Sequence, residues 1–145
     1  MEELLELKEY ILRHDYDAAL ALVEELEEMS KKDIINNIRS DAVVLLLHFI
    51  KQELEERTTK SWDISIANSV LEIQSLNRRR KAKGNYIDLE ELQEVLQDAW
   101  SQAVNLASKE AFEGILNASV ILEKVNESEM ILQALKRIES GSVTI

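Results

Sequence analysis

Apolar residues recur at helical spacing along most of the chain, most clearly in residues 31–56. The apolar stripe of this segment advances in steps of four and three residues, which places its members on one face of an α-helix. Its members are Ile34, Ile38, Ala42, Leu45 and Phe49. The run 42–47 is apolar at every position, so the middle of the helix is expected to be buried all round. We therefore predict that the helix over 31–56 is central to the fold.

The same periodicity predicts further helices on both sides of this segment. The predicted helices cover residues 2–13, 16–29, 31–56, 61–81, 88–111 and 127–139, with a possible short one over 117–124. No low-complexity linker divides the chain. The expected fold class is all-α: a single-domain bundle of five to six helices over residues 1–140, followed by a loose C-terminal tail over 141–145.

Local signals suggest where these helices begin and end. Asp15 is placed to cap the second helix, and Asp88 with Glu91 forms a capping box before the fifth. The sequence S-K-K-D at 30–33 resembles a capping box and predicts a break between the second and third helices. Gly84, after a cationic run, predicts the end of the fourth helix.

Composition narrows the class of protein. The 145 residues are 46% apolar and 31% charged, a balance typical of globular proteins. The absence of cysteine excludes disulfides and thiolate metal sites. The acidic N-terminus has no signal-peptide pattern, and no apolar run approaches the roughly 20 residues of a membrane span. We expect a cytoplasmic protein that does not enter membranes.

Charge is the most unusual global property. The formal net charge is −11, and residues 1–30 contain ten acidic and two basic side chains. Such a surface repels phosphate backbones, which argues against broad binding of nucleic acids. A local basic cluster is the exception, and it consists of Arg78, Arg79, Arg80, Lys81 and Lys83. This basic cluster is either an anion-binding site or a helix C-terminus that pairs with the acidic N-terminal third.

Three stretches, in order and spacing, resemble the bacterial domain-of-unknown-function family 29. They read EELEEMSKKD at 24–33, VVLLLHFIK at 43–51 and RTTKSWDISI at 57–66. The matching positions are Glu25, Glu28, Met29, His48, Lys51, Arg57, Ser61, Trp62 and Ile66. NRRRKAKGNY at 77–86 is similar to the short members of that family. The resemblance implies an all-helical fold and implies no activity.

His48 is the polar residue that stands out, because it lies within the most apolar stretch. As a proton carrier it would need carboxylate or amine neighbours. The candidate catalytic set is His48, Glu24, Glu25, Glu28 and Lys51. The simpler interpretation is a buried histidine that is hydrogen-bonded to a carboxylate or a carbonyl group. The sequence contains no Glu-x-x-His or H-E-x-x-H pattern, so we predict no metal site and no cofactor.

Arg57 and Trp62, at the start of the fourth predicted helix, are candidate binding residues. Trp62 is expected to anchor the core, with its indole N–H bonded near the turn. Trp100 lies off the seam that the apolar residues of the fifth helix form, so it is expected at the edge of the bundle or in an interface.

These observations favour a non-enzymatic helical interaction or structural protein, which could form a homodimer. Two alternatives are a hydrolytic or metal-dependent enzyme built on His48 and the glutamates of the second helix, and a regulator that binds a basic protein partner.

Overall fold

The computed structural model describes residues 2–79, 84–114 and 116–143, with the backbone alone described at 112, 113 and 141–143. These residues form six α-helices, one 3-10 turn and no strand, so the predicted all-α class is confirmed. The helices are α1 (Glu2–Leu12), α2 (Tyr16–Glu55), α3 (Lys60–Asn77), α4 (Leu89–Glu110), α5 (Ala118–Lys124) and α6 (Glu127–Val143). The 3-10 turn is Ala111–Gly114. The chain separates into two compact units, Met1–Ile35 and Asn36–Ile145.

The N-terminal unit (Met1–Ile35) contains α1, a tight turn and the beginning of α2. His14 adopts a left-handed conformation with φ 61°, and Asp15 N donates to Tyr10 O at 2.9 Å. Asp15 Oδ1 accepts from Ala18 N at 3.2 Å, which confirms the predicted cap. No residue of α1 is buried.

The predicted break at 30–33 is wrong, because α2 continues through it as one helix. The segment contains neither glycine nor proline, and Lys31 and Lys32 are good helix formers. Ser30 costs a helix interior only about 0.5 kcal/mol relative to alanine. A capping pattern therefore ends a helix only when the residues on either side of it disfavour a continuous helix. The residues on either side of 30–33 favour one.

The C-terminal unit (Asn36–Ile145) is built around the second part of α2, as the periodicity predicts. The side chains of this part that are completely buried are Ile38, Ala42, Leu45, Leu46 and Ile50. Helix α6 packs on α3 and α4, while α5 and the 3-10 turn pack on α4. Gln74 of α3 donates from Nε2 to Ile138 O of α6 at 2.8 Å, which joins the two helices outside the apolar core.

Helix α3 ends at Asn77, earlier than the cationic run and Gly84 predict. The Asn77 side chain bonds to the backbone of Ile87 in both directions, and Arg78 takes an extended conformation with ψ 128°. Arg78 then forms an isolated antiparallel bridge with Asn85. Gly84, with φ 92°, lies in this reversal of the chain and not at a helix end.

Helix α4 begins with the predicted capping box: Asp88 Oδ1 accepts from Glu91 N at 2.8 Å. Its seam is buried at Leu92, Leu96, Ala99 and Ala103. The edge position expected for Trp100 is wrong, since this residue is almost fully buried. The reason is that α5, α6 and the 3-10 turn all pack on α4, so the helix buries a broader face than one seam.

The C-terminal residues form the two helices that the sequence predicts over 117–124 and 127–139. Asn117 caps α5 by accepting from Val120 N at 3.2 Å, and α6 begins at the predicted residue 127. Helix α6 runs to Val143, into the segment 141–145 that the sequence predicts as a tail. Residues 144 and 145 lie outside the described residues.

Candidate functional site

The junction between α2 and α3 brings together several residues that the sequence singles out. Helix α2 stops where Glu56 turns into a left-handed conformation with φ 51°. Thr59 then caps α3, because its side chain accepts from Trp62 N at 3.0 Å. Lys51 and Arg57, on either side of this turn, both reach the indole ring of Trp62.

Lys51 is the buried cation of this junction, with 8% of its surface exposed. Its Nζ lies 4.7 Å from the centroid of the Trp62 ring and 3.2 Å from Glu110 Oε1 of α4. The carboxylate compensates the buried charge, and the ring supplies a cation–π interaction. Lys51 therefore links α2 to both α3 and α4.

Arg57 contacts the same ring from a more exposed position. Its guanidinium carbon lies 4.7 Å from the Trp62 centroid, and Nη2 lies 2.9 Å from Glu55 Oε1. Trp62 is half-buried and lies between the core and the surface, so it is less buried than the predicted core anchor. The observed partners of its ring are two cations, each of which is paired with a carboxylate.

A hydrogen-bond chain completes the junction. Thr58 Oγ1 donates to Asp63 Oδ1 at 2.7 Å, and Gln52 Nε2 donates to Thr58 Oγ1 at 2.8 Å. These bonds hold the connection of α2 and α3 in one geometry. The sequence does not identify Glu55, Asp63 or Glu110 as members of the site, and Glu110 lies far along the chain from Lys51.

His48 is half-buried on α2, and its Nδ1 lies 2.8 Å from Val44 O. A carbonyl oxygen can only accept, so Nδ1 carries the proton and donates to the helix of which it is part. Glu24, Glu25 and Glu28 are exposed residues of the N-terminal unit. The pairing of these glutamates with His48 stays a prediction.

A pair of acidic residues that the sequence does not indicate lies between α2 and α3. The pKa of Asp41 is raised from 3.8 to about 6, first by burial and then by hydrogen bonding to Glu72 and by the negative charge of that residue. Asp41 Oδ2 is buried, and a hydrogen bond between Asp41 and Glu72 requires that one of the two carboxyl groups carries a proton. The charged form of Asp41 is therefore disfavoured in the folded protein.

The predicted basic cluster is described only in part. Arg78 and Arg79 are exposed and follow the end of α3. Arg80, Lys81 and Lys83 lie outside the described residues. The prediction of an anion contact at this cluster stays a prediction.

Helix α1 presents an apolar face to solvent. This α1 apolar face consists of Leu4, Leu5, Ile11 and Leu12, whose exposed fractions are 51%, 68%, 50% and 69%. Leu4 and Ile11 are seven residues apart, as are Leu5 and Leu12, so the four side chains form two adjacent rows on the helix. Tyr16 and Leu20, at the start of α2, are exposed as well.

Two kinds of feature are absent from the described ranges, a metal site and a membrane-spanning helix. No three histidine, aspartate or glutamate side chains there are arranged to hold a metal ion. None of the helices there combines the length and the apolar character that crossing a membrane requires.

Comparison with known protein families gives a match over most of the chain. The family model described as "Domain of unknown function DUF29" matches residues 12–127, which include the whole α2–α3 junction. No curated protein and no solved structure matches the chain.

Proposed function

Since the chain belongs to the family described as "Domain of unknown function DUF29", we propose that it acts through protein–protein contact, as a non-enzymatic helical interaction protein. The observation that carries the proposal is the α1 apolar face. A helix that carries four large apolar side chains at least half exposed loses the free energy that their burial would supply, about 25 cal/mol for each Å². Large apolar side chains that are exposed together on one side of a helix are candidates for an interaction site.

The α2–α3 junction has a supporting role in this proposal. Both cations at Trp62 are already paired with carboxylates, Lys51 with Glu110 and Arg57 with Glu55. Such a cluster holds three helices in place and leaves the N-terminal unit as the element that meets a partner. The proposal includes a cytoplasmic location in a bacterium, which the cysteine-free composition and the resemblance to a bacterial family support.

A library of random helix-length peptides tests this function. The library is selected on the wild-type protein and then tested on two variants, Leu5→Gln/Leu12→Gln and the control Leu71→Gln. Leu71 is an α3 leucine with a similar exposure of 62%. We expect peptides that bind the wild type and the control but not the α1 variant. A selection in which every binding peptide also binds the α1 variant contradicts the proposal.

A homodimer is a second arrangement that an exposed apolar face allows. Size-exclusion chromatography with light scattering measures it directly. A dimer that the Leu5→Gln/Leu12→Gln variant dissociates would assign the α1 apolar face to self-association.

A further inference from the structure

The α1 apolar face lies within a strongly acidic surface. Ten of the side chains in residues 1–30 are carboxylates, and all ten are exposed. The two basic side chains of this segment are Lys8 and Arg13, and Arg13 forms an ion pair with Glu9. Residues 1–30 therefore carry a strongly negative formal charge, with ten acidic against two basic side chains.

A neighbouring titratable group responds to this negative charge. Tyr10 donates its hydroxyl to Glu6 Oε1 at 3.0 Å. The pKa of Tyr10 is raised, first by this hydrogen bond and then by the negative charge of Glu6, with further contributions from Asp15 and Glu9. Ionisation of the phenol is opposed because it would add a negative charge to a surface that already carries several.

The apolar and acidic positions are separated around α1. At 100° per residue, the two leucine-containing rows of the face occupy one side of the helix, with Lys8 between them. Glu9 and Glu2 lie about 40° and about 60° beyond Leu5, whereas Glu6 lies on the opposite side of the helix. A partner that covers the apolar rows thus meets carboxylates along one border of the face.

We propose that the α1 apolar face binds an amphipathic helix of another protein, with apolar residues in its contact stripe and lysines or arginines beside that stripe. This identification of the partner rests on the proposed function. Burial of the leucines supplies the affinity, and the border of carboxylates selects basic flanks. A second copy of this chain fits less well, because it would bring one strongly acidic segment of residues 1–30 against another.

A designed helical peptide of leucine and lysine, labelled with a fluorophore, is the probe, and fluorescence anisotropy measures its binding. A peptide with glutamate in place of every lysine is the matched probe. We expect the lysine peptide to bind at low salt and the glutamate peptide to bind at least tenfold more weakly. Raising the salt from about 0.05 M to about 0.5 M should weaken binding of the lysine peptide severalfold, because the charges become screened.

Variants of α1 and matched variants of the C-terminal unit locate the binding. Leu5→Gln/Leu12→Gln should weaken binding of the lysine peptide about tenfold or more, and Glu2→Gln about threefold. The controls are Leu71→Gln and Glu94→Gln, which remove an exposed leucine and an exposed α4 carboxylate. Both controls should bind as the wild type does.

The results that would contradict a basic-helix partner differ from those that would contradict the proposed interaction function. Equal binding of the two peptides, or equal binding by the α1 variants and their controls, overturns the basic-helix partner. A wild-type dimer that Leu5→Gln/Leu12→Gln dissociates overturns it as well. If the library still yields peptides that depend on α1 but lack basic residues, the interaction function stands and only the identity of the partner is wrong.

Discussion

Asn77 and Ile87 are joined by two buried hydrogen bonds: Asn77 Nδ2 donates to Ile87 O at 3.1 Å, and Ile87 N donates to Asn77 Oδ1 at 2.9 Å. The Asn77 side chain thus supplies the hydrogen-bond donor and acceptor for the backbone of Ile87, which lies just before α4. This side chain, together with the bond from Tyr86 N to Asn77 O, links the end of α3 to the segment before α4.

Replacing Asn77 with alanine should reduce the free energy of unfolding by about 3 kcal/mol, because the N–H and C=O groups of Ile87 lose their partners in a buried position. Urea denaturation followed by circular dichroism measures the change. Asn68→Ala, at an exposed position of the same helix, is the control and should change stability by less than about 0.5 kcal/mol. Similar losses in the two variants would show that the paired bonds contribute little.

The two cations at Trp62 should differ in their energetic coupling to the ring. The side chain of Lys51 is 10% exposed and that of Arg57 is 55% exposed, although both lie 4.7 Å from the centroid. Double-mutant cycles with Lys51→Met, Arg57→Met and Trp62→Leu should give about 1–2 kcal/mol for Lys51 and about 0.5 kcal/mol for Arg57, because water weakens the exposed interaction. A larger coupling for Arg57 would contradict this assignment of the buried cation.

The dependence of stability on pH should contain a contribution from Asp41. Its pKa is about 6 in the folded protein and 3.8 in the unfolded chain, so the folded state holds the proton more tightly. This contribution is fully present below about pH 4 and is lost as the pH rises through about 6. Asp41→Asn should therefore be more stable than the wild type at pH 7, by about 1 kcal/mol once solvent screening is included, and this advantage should disappear by about pH 4.

The exposed α4 residue Asp98 provides the control for this pH effect. Thermal unfolding of the wild type, Asp41→Asn and Asp98→Asn at pH 4, 5, 6 and 7 separates the local contribution from general effects of charge. If Asp41→Asn were more stable than the wild type by the same amount at every pH in this range, the titration of Asp41 would not be the cause.

The change in stability on replacing Ser30 with alanine tests whether α2 is continuous, because the two alternatives predict changes of opposite sign. Within a continuous helix, Ser30→Ala should stabilise the protein by up to about 0.5 kcal/mol, since alanine is the better helix former. If Ser30 were a cap, the same change would cost about 1 kcal/mol. Thr59→Ala is the matched control for a true cap and should destabilise by about 1 kcal/mol.

The parts of the fold that could be predicted from the sequence depend on short-range patterns. The seam of α4 and its capping box follow from the spacing of neighbours, and Asp88 and Glu91 do form the box. The break at 30–33 was predicted wrongly from the same kind of pattern. A capping motif can stabilise a helix end where one exists. Whether the helix ends there depends on the summed helix propensity of the flanking residues.

The contacts of the candidate site could be predicted only in part. The resemblance of the sequence to a family pattern identifies Lys51 and Trp62. Glu110, however, belongs to α4, and no local periodicity connects it to Lys51. The approach of Asp41 on α2 to Glu72 on α3 depends on the rotation of both helices about their axes, which no local sequence pattern determines. The exposure of the α1 leucines was also missed, because an apolar stripe in a sequence normally indicates burial.

The most direct test of the interaction function is an NMR titration of the isotope-labelled protein with the leucine–lysine peptide. Backbone amide shifts report the binding site residue by residue. We predict saturable shift changes concentrated in α1 and the beginning of α2, within residues 2–35, and their loss in Leu5→Gln/Leu12→Gln. Shift changes centred on α3 or α4, or the same changes in that variant, would contradict the assignment of the N-terminal unit as the partner-binding element.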